Sequence, residues 1–199
     1  MRLITKLSLA CIMGNILILS GCQNYVQPQQ AVHKFASEPA KKNTFQLDGK
    51  IGVRTAEQSG SAFFTWAQQD NYFNIDLTGA LGIGKTHIEG QPGQVTLTSA
   101  KTGTISASSP EELLEKATGW QTPITDLVQW VQAKTATNTA QTVTDSKNRL
   151  TNIVEDGWNV SLIYNDETQT LPNKLVLKQI LPNEQENRIT MVIQNRTMN

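Results

Sequence analysis

The chain is poor in the residues that do chemistry. Among its 199 residues are two cysteines, Cys11 and Cys22, and two histidines, His33 and His87. So few thiols exclude a disulfide framework, and two isolated histidines make no zinc-type ligand set. Lysine plus arginine equals aspartate plus glutamate at 17 each, so no field of one sign draws the chain to nucleic acid. Gly-x-Ser-x-Gly and His-Glu-x-x-His are absent, and no convincing pair of carboxylates lies in an apolar setting. That argues against an enzyme. No apolar run reaches the ~20 residues needed to cross a bilayer.

What is present starts at the N-terminus. Arg2 and Lys6 precede an apolar run from Leu7 to Leu19, broken lightly by Ser8, Gly14 and Asn15, and Leu19-Ser20-Gly21-Cys22 follows. This is the charged, apolar and small-residue order of a secretory signal. A cysteine directly after Leu-Ser-Gly reads as a bacterial lipobox: cleavage before Cys22, lipidation of its thiol, acylation of the new N-terminus. The plainer alternative is an ordinary leader with a stray cysteine. Two or more acyl chains hold a protein on its membrane stably where one does not. Gln23, in place of an aspartate, favours sorting to the outer membrane. Residues 1–21 are thus expected to be removed, taking Arg2, Lys6 and Cys11 with them. The net charge falls to about −2, and Cys22 is left as a single, already modified thiol. Residues 22–43 are polar, carry Pro28 and Pro39, and read as a tether with room for a short helix over Gln29 to Ser37. Residues 44–199 form the domain.

Alternation then takes over. Phe45, Leu47, Gly49, Ile51 and Val53 share one strand face, followed by Ala62, Phe64 and Trp66, then Phe73, Ile75 and Leu77. Further short strands hold Thr86–Glu89, Val95 and Leu97, and Thr104–Ser106, each separated by turn residues. This predicts an antiparallel meander. Ser109-Pro110-Glu111-Glu112 is a helix start with an N-cap serine and N1 proline, closed by Gly119. A second helix is predicted from about Ile124 to Ala133, with Ile124, Leu127, Val128, Trp130 and Val131 on a broad apolar face. Strands return around the Asp156-Gly157 hairpin, where Trp158, Val160, Leu162 and Tyr164 alternate inward, and continue through Leu175, Leu177, Ile189, Met191 and Ile193. The fold class is α+β: a curved sheet whose concave side the helices cover.

Four features bear on function. Residues 79–86, Gly-Ala-Leu-Gly-Ile-Gly-Lys-Thr, match a phosphate loop letter for letter. That loop works only where a helix begins at the lysine, and here Lys85 enters an alternating strand. Without that motif, Leu81 and Ile83 stand isolated among glycines, either folded back into the domain or exposed as a membrane-touching tip. Burying one leucine contributes about 1.5–3 kcal/mol. His87 and Glu89 point the same way from one strand, but two ligands without a third make a poor metal site. Trp66, Trp120, Trp130 and Trp158 all lie beside apolar periodicity, as a packed core or a lined cavity would equally require.

Several residues together resemble the LolB family, outer-membrane lipoprotein receptors. They are the lipobox at Cys22, Ala62-x-Phe64-x-Trp66, Thr78-x-x-Leu81-Gly82 after a strand, and Gln91-Pro92-Gly93. Thr118-Gly119, Pro123-Ile124, Leu127-x-Gln129-Trp130, and Arg149-Leu150 leading to Trp158-x-Val160-x-x-Ile163-Tyr164 complete the pattern. The resemblance covers about Thr44 to Ile193. Pro39 departs from it, falling where the family tends to have an N-terminal helix, as does the Gly84-Lys85 pair. It implies an unclosed antiparallel β-barrel lidded by helices around an apolar cavity. It also implies a monomer without cofactor or metal that takes lipoproteins from a LolA-like periplasmic carrier, houses their acyl chains, and inserts them into outer-membrane lipid without ATP. Leu81, with Ile83, falls at the membrane-insertion loop. The cavity lining would be Phe64, Trp66, Ile75, Leu77, Ile124 and Leu127, with Trp130, Val131, Trp158, Val160 and Leu162. An envelope scaffold binding proteins through sheet edges, with no cavity, is the alternative from another class; an envelope hydrolase is a third.

Overall fold

The structure is a computed structural model and describes residues 43–56, 58–79, 84–118 and 122–198. Cys22, the leader, the tether up to residue 42, the Leu81 and Ile83 tip, Gly119 and Trp120 lie outside the described residues.

Six strands come first: β1 (Thr44–Arg54), β2 (Ser59–Gln69), β3 (Tyr72–Thr78), β4 (Thr86–Gln91), β5 (Gln94–Ser99) and β6 (Gly103–Ala107). Helices α1 (Pro110–Thr118) and α2 (Ile124–Trp130) follow. Five more strands end the chain: β7 (Gln141–Thr144), β8 (Leu150–Glu155), β9 (Trp158–Ile163), β10 (Lys174–Ile180) and β11 (Glu186–Met198). All join one 11-stranded sheet in the order β6-β5-β4-β3-β2-β1-β11-β10-β9-β8-β7. Every neighbouring pair is antiparallel, and β1 and β11, far apart in sequence, pair in the middle. The outer strands β6 and β7 are not neighbours, so the curved sheet is unclosed. The helices lie in the stretch of chain between these two edges.

Period-two burial runs through the strands. Phe45, Leu47 and Val53 of β1, and Ala62, Phe64 and Trp66 of β2, are buried, while Phe63 and Lys50 face out. The inward side chains make one cluster that also takes in Leu113 of α1 and Leu127 and Trp130 of α2. A bulge at Asp48/Gly49 shifts the β1–β11 register. Only glycine fits there, because a Cβ on Gly49 would lie 2.0 Å from the Val192 carbonyl oxygen. Asp156 (φ 48°) and Gly157 (φ 79°) make the tight β8–β9 turn through two left-handed residues.

Two details differ from the sequence expectation. Helix α2 ends at Trp130 rather than Ala133. There the bonding tightens, Gln132 N–H donating to the Gln129 carbonyl and Ala133 N–H to that of Trp130, and Ala133 turns left-handed at φ 54°. Strand β7 was not legible at all. Its four residues, Gln-Thr-Val-Thr, are all exposed, so burial leaves no alternation to read.

Candidate functional site

The two helices are positioned by different means. Helix α1 starts where the sequence says: the Ser109 hydroxyl accepts the Glu112 N–H at 3.1 Å. Glu112 reaches one residue further back than the usual capping box, accepting the Ser108 N–H at 2.9 Å and its hydroxyl at 2.5 Å. Its contacts to Lys116 and then Ser108 hold the Glu112 carboxyl down to about 2.

Helix α2 has no side-chain cap of its own. Instead, Glu111 of α1 accepts the Thr125 N–H at 2.8 Å. At the other end, the Arg196 guanidinium from β11 donates to the Val131 carbonyl at 2.6 Å and to that of Pro172 at 2.7 Å. A cation at a helix C-terminus is favourable, although burial lowers the pKa of Arg196. Between these ends, the buried Trp130 indole N–H donates to Glu155, on the last residue of β8. The Glu155 carboxylate also accepts the Ala136 N–H at 3.0 Å, the Thr137 N–H at 2.8 Å and the Thr137 hydroxyl at 2.9 Å. Burial pushes its pKa up. The donors from Ala136, Trp130 and Thr137 more than offset this and leave it below the ordinary value. Asp126, on α2, goes the other way. Burial, then the charges of Asp156, Glu155 and Glu111, raise it to about 6.

An apolar-lined hollow of about 290 Å³ opens beside α2. Ile124, Thr125, Val128 and Gln129 form one wall; Phe73 and the β2–β3 turn, Pro92, and the Ser108–Pro110 junction form the others. Polar side chains line its rim. Gln68 accepts the Trp66 indole N–H at 2.9 Å and donates to the Asp70 carbonyl at 2.8 Å. Gln132 donates to Asn43 at 3.0 Å, tying the start of β1 to the end of α2. The buried Gln129 Oε1 finds no hydrogen-bond partner.

Of the residues expected to line a cavity, Ile124 borders this hollow. Phe64, Trp66, Ile75, Leu127, Trp130, Val131, Trp158, Val160 and Leu162 lie together in the buried cluster, and Leu77 packs against it. Their mutual contact is thus a property of the structure, and the hollow lies at the cluster's edge. Sequence reading passed over Glu155 and Arg196. For Glu155 the available signal was a charge at an inward strand position, which demands buried partners. Arg196 faces inward only through the register shift between Ile193 and Asn195, which alternation in the sequence does not show.

The remaining motifs resolve into architecture. Gly79 (φ 80°) and Gly84 (φ 74°) are left-handed, and a strand rather than a helix begins at Thr86. Among the described residues, no helix begins at Lys85 to aim its N–H groups at a phosphate. His87 Nδ1 lies 3.0 Å from Asp76 and Nε2 3.5 Å from Glu89. The carboxylates flank opposite ring nitrogens, with a hydrogen bond between Nδ1 and Asp76, so the trio does not converge on one point as a chelate would. Arg149 stacks over Tyr164 at 4.3 Å, pairs with Asp145 at 2.8 Å, and donates to the carbonyls of Asp166 and Gln169 at 3.0 and 2.9 Å. Its role is to fix the loop after β9.

The chain is similar to several known proteins. The family model described as outer membrane lipoprotein LolB matches residues 43–195. An outer-membrane lipoprotein LolB from Pseudomonas putida is 37% identical over 175 residues, covering 81% of this chain and 84% of that protein. One from Stutzerimonas stutzeri is 34% identical over 190 residues, covering 89% and 90%. A LolA superfamily protein from Nitrosomonas europaea superimposes with a TM-score of 0.48 at 9% identity, covering 81% of this chain and 88% of that one. With a family match across nearly all the described strands and helices, and relatives aligned over most of their length, the chain belongs to the outer-membrane lipoprotein LolB family.

Proposed function

We propose that this protein is an outer-membrane lipoprotein receptor in lipoprotein localisation, anchored through lipidated Cys22 with its domain facing the periplasm. It takes lipoproteins from a LolA-like carrier, shelters their acyl chains between α2 and the sheet, and inserts them into outer-membrane lipid without ATP or covalent chemistry. The observation that carries this reading is the apolar hollow bordered by α2, continuous with a buried cluster rich in large side chains.

Acyl chains in water cost about 0.8 kcal/mol per methylene, so a triacylated cargo needs continuous cover. A hollow of about 290 Å³ is at the lower end of the ~300–1,000 Å³ typical of small-molecule sites. Several chains therefore require α2 to move away from the sheet. The residues then lining the space are Phe64, Trp66, Leu127 and Trp130, flanked by Ile75, Leu77, Val131, Trp158, Val160 and Leu162. Handover runs downhill wherever the receptor binds the chains better than the carrier, each ~1.4 kcal/mol being tenfold. Leu81 and Ile83 would then touch the bilayer during insertion.

The test is transfer of a labelled lipoprotein from purified carrier to this protein and on to liposomes. Leu81→Glu is expected to accept cargo normally and deposit it poorly; unimpaired deposition would remove the loop from the mechanism. A second reading is favoured by the unpaired sheet edges, where β7 is exposed throughout: an anchored scaffold that pairs with partner strands. An environment-sensitive apolar dye separates the two, since a receptor binds it stoichiometrically and a packed scaffold does not.

A further inference from the structure

The outer face of the central strands carries a charge pattern that folding alone does not account for. Arg54 on β1 stands opposite Arg188 on β11, which stands opposite Lys178 on β10. Like charges directly opposite one another destabilise a sheet. Among the described residues, Glu186 alone sets a carboxylate against this row, 3.4 Å from Lys178 and 3.8 Å from Arg188; Glu184 lies in the adjoining turn. Four residues along each strand, about 13 Å away, comes a second row: Phe63, Lys50, Val192, Lys174 and Ile163 on five successive strands. Here cations alternate with apolar side chains that project into solvent. Phe63 is 59% exposed, Val192 39% and Ile163 41%, and Lys50 lies over the Phe63 ring at 5.9 Å. Of the acidic groups on the outer face, Asp48 is on β1, where it accepts a hydrogen bond from Asn195 at 2.7 Å, and Glu186 is on β11, while Asp76 and Glu89 are on β3 and β4 around His87. The outer face of β1, β10 and β11 thus carries five cations, Lys50, Arg54, Lys174, Lys178 and Arg188, against Asp48 and Glu186, in a chain that is neutral overall.

We propose that this basic and apolar face of β1, β10 and β11 docks on an anionic phospholipid surface. Cations spaced over a broad, gently curved face, with aliphatic and aromatic groups between them, suit head groups of negative charge above an apolar interior. A protein partner of matching acidity would need a complementary solid surface; a lipid leaflet needs none. Phe63 also pairs with Thr78, the last residue of β3 before the connection to β4. Docking would hold that end of the sheet at the membrane and orient the domain. This rests on the receptor reading only for placing the domain beside a bilayer.

The experiment uses the full lipidated chain reconstituted in vesicles of phosphatidylethanolamine with phosphatidylglycerol, and in vesicles of phosphatidylethanolamine with phosphatidylcholine. A nitroxide is attached through Val192→Cys, and through Thr98→Cys as a control on exposed β5. The Val192 label should lose accessibility to a water-soluble relaxation agent in the anionic vesicles and regain it in high salt, while the Thr98 label stays accessible throughout. Each cation contributes about a fivefold factor, so Lys50→Gln with Lys174→Gln should lower the docked-to-free ratio about 25-fold. Equal accessibility in both vesicle types would overturn the proposal. So would shielding that appears only once carrier is added, which would give the face to a protein instead. Cargo acceptance is measured on the same preparations. Its failure in the unsubstituted chain would sink the receptor reading and leave the docking result standing.

Discussion

Helices α1 and α2 sit side by side in the chain and are held by opposite strategies. Helix α1 carries its own instructions: an N-cap serine, a first-turn glutamate bonded to Ser108, and a Glu112–Lys116 pair at 2.6 Å. Helix α2 has seven residues and no side-chain cap, far below the ~12–15 residues at which an isolated helix becomes even marginal. Its ends are tied by Glu111 and Arg196, and its middle by Glu155. A helix fixed by tertiary contacts can be released as a unit when those contacts exchange for others. Helix α1, at nine residues, is also below that length, but it carries its capping groups within its own segment. Under the proposed receptor function, that difference suits α2, beside the hollow, for movement over a guest.

The largest expected effect breaks the α2 side of this comparison. Glu155→Ala leaves the Trp130 indole and the Ala136 and Thr137 N–H groups without their acceptor. Leaving the buried Trp130 donor and the two half-buried N–H groups unmade should cost about 3 kcal/mol. Urea unfolding reads the loss, and acrylamide quenching should find Trp130 more accessible in the native state. A change below about 1 kcal/mol would mean that apolar contact alone holds α2.

The next acts on the same helix through charge. Asp126 rises from 3.8 to about 6, so the folded protein holds that proton more tightly than the unfolded chain. Its contribution to stability is full below about pH 4 and is lost as pH rises through about 6. Asp126→Asn should remove this slope between pH 4 and 6. It should also add about 1 kcal/mol at pH 7, a value already discounted for solvent around a half-exposed group. An unchanged stability profile would show the carboxyls of Asp126 and Asp156 to be well solvated. Glu155 runs opposite: its pKa is lowered, so its contribution fades as pH falls.

The smallest effect probes α1. Ser109→Ala removes the N-cap and should cost about 1 kcal/mol. Trp130 quenching should change little, because Glu155 and Arg196 hold α2 from β8 and β11, although Glu111 links its first turn to α1. Were both helices to loosen together, α1 and α2 would be one cooperative unit.

Most of the strands were legible because one face of each is buried and the other wet, so period two is written into Phe45 to Val53 and Trp158 to Leu162. The Asp156-Gly157 turn and the Ser109-Pro110 helix start announced themselves through local conformational preference. Strand β7 did not, because its exposed Gln-Thr-Val-Thr has polar groups on both sides. The end of α2 was overrun because Val131 continues the apolar pattern while the backbone has already tightened. At the candidate site, apolar periodicity identified side chains that meet, Trp66 and Trp130 among them. It was silent on how much room lies between them, since a packed core and a lined space draw on the same residues.

By itself, the sequence determined the elements whose signals are short-range: alternating strands, hairpin turns and the capped helix α1. Tertiary structure decided the rest. It paired β1 with β11 across nearly the whole chain, left β6 and β7 as unjoined edges, and brought Glu155 and Arg196 to a helix that cannot stand alone. It also lined up Arg54, Arg188 and Lys178 across three strands. The physical reason is range. Caps and turns act within a few residues, whereas strand register and buried partners exist only once distant segments have met.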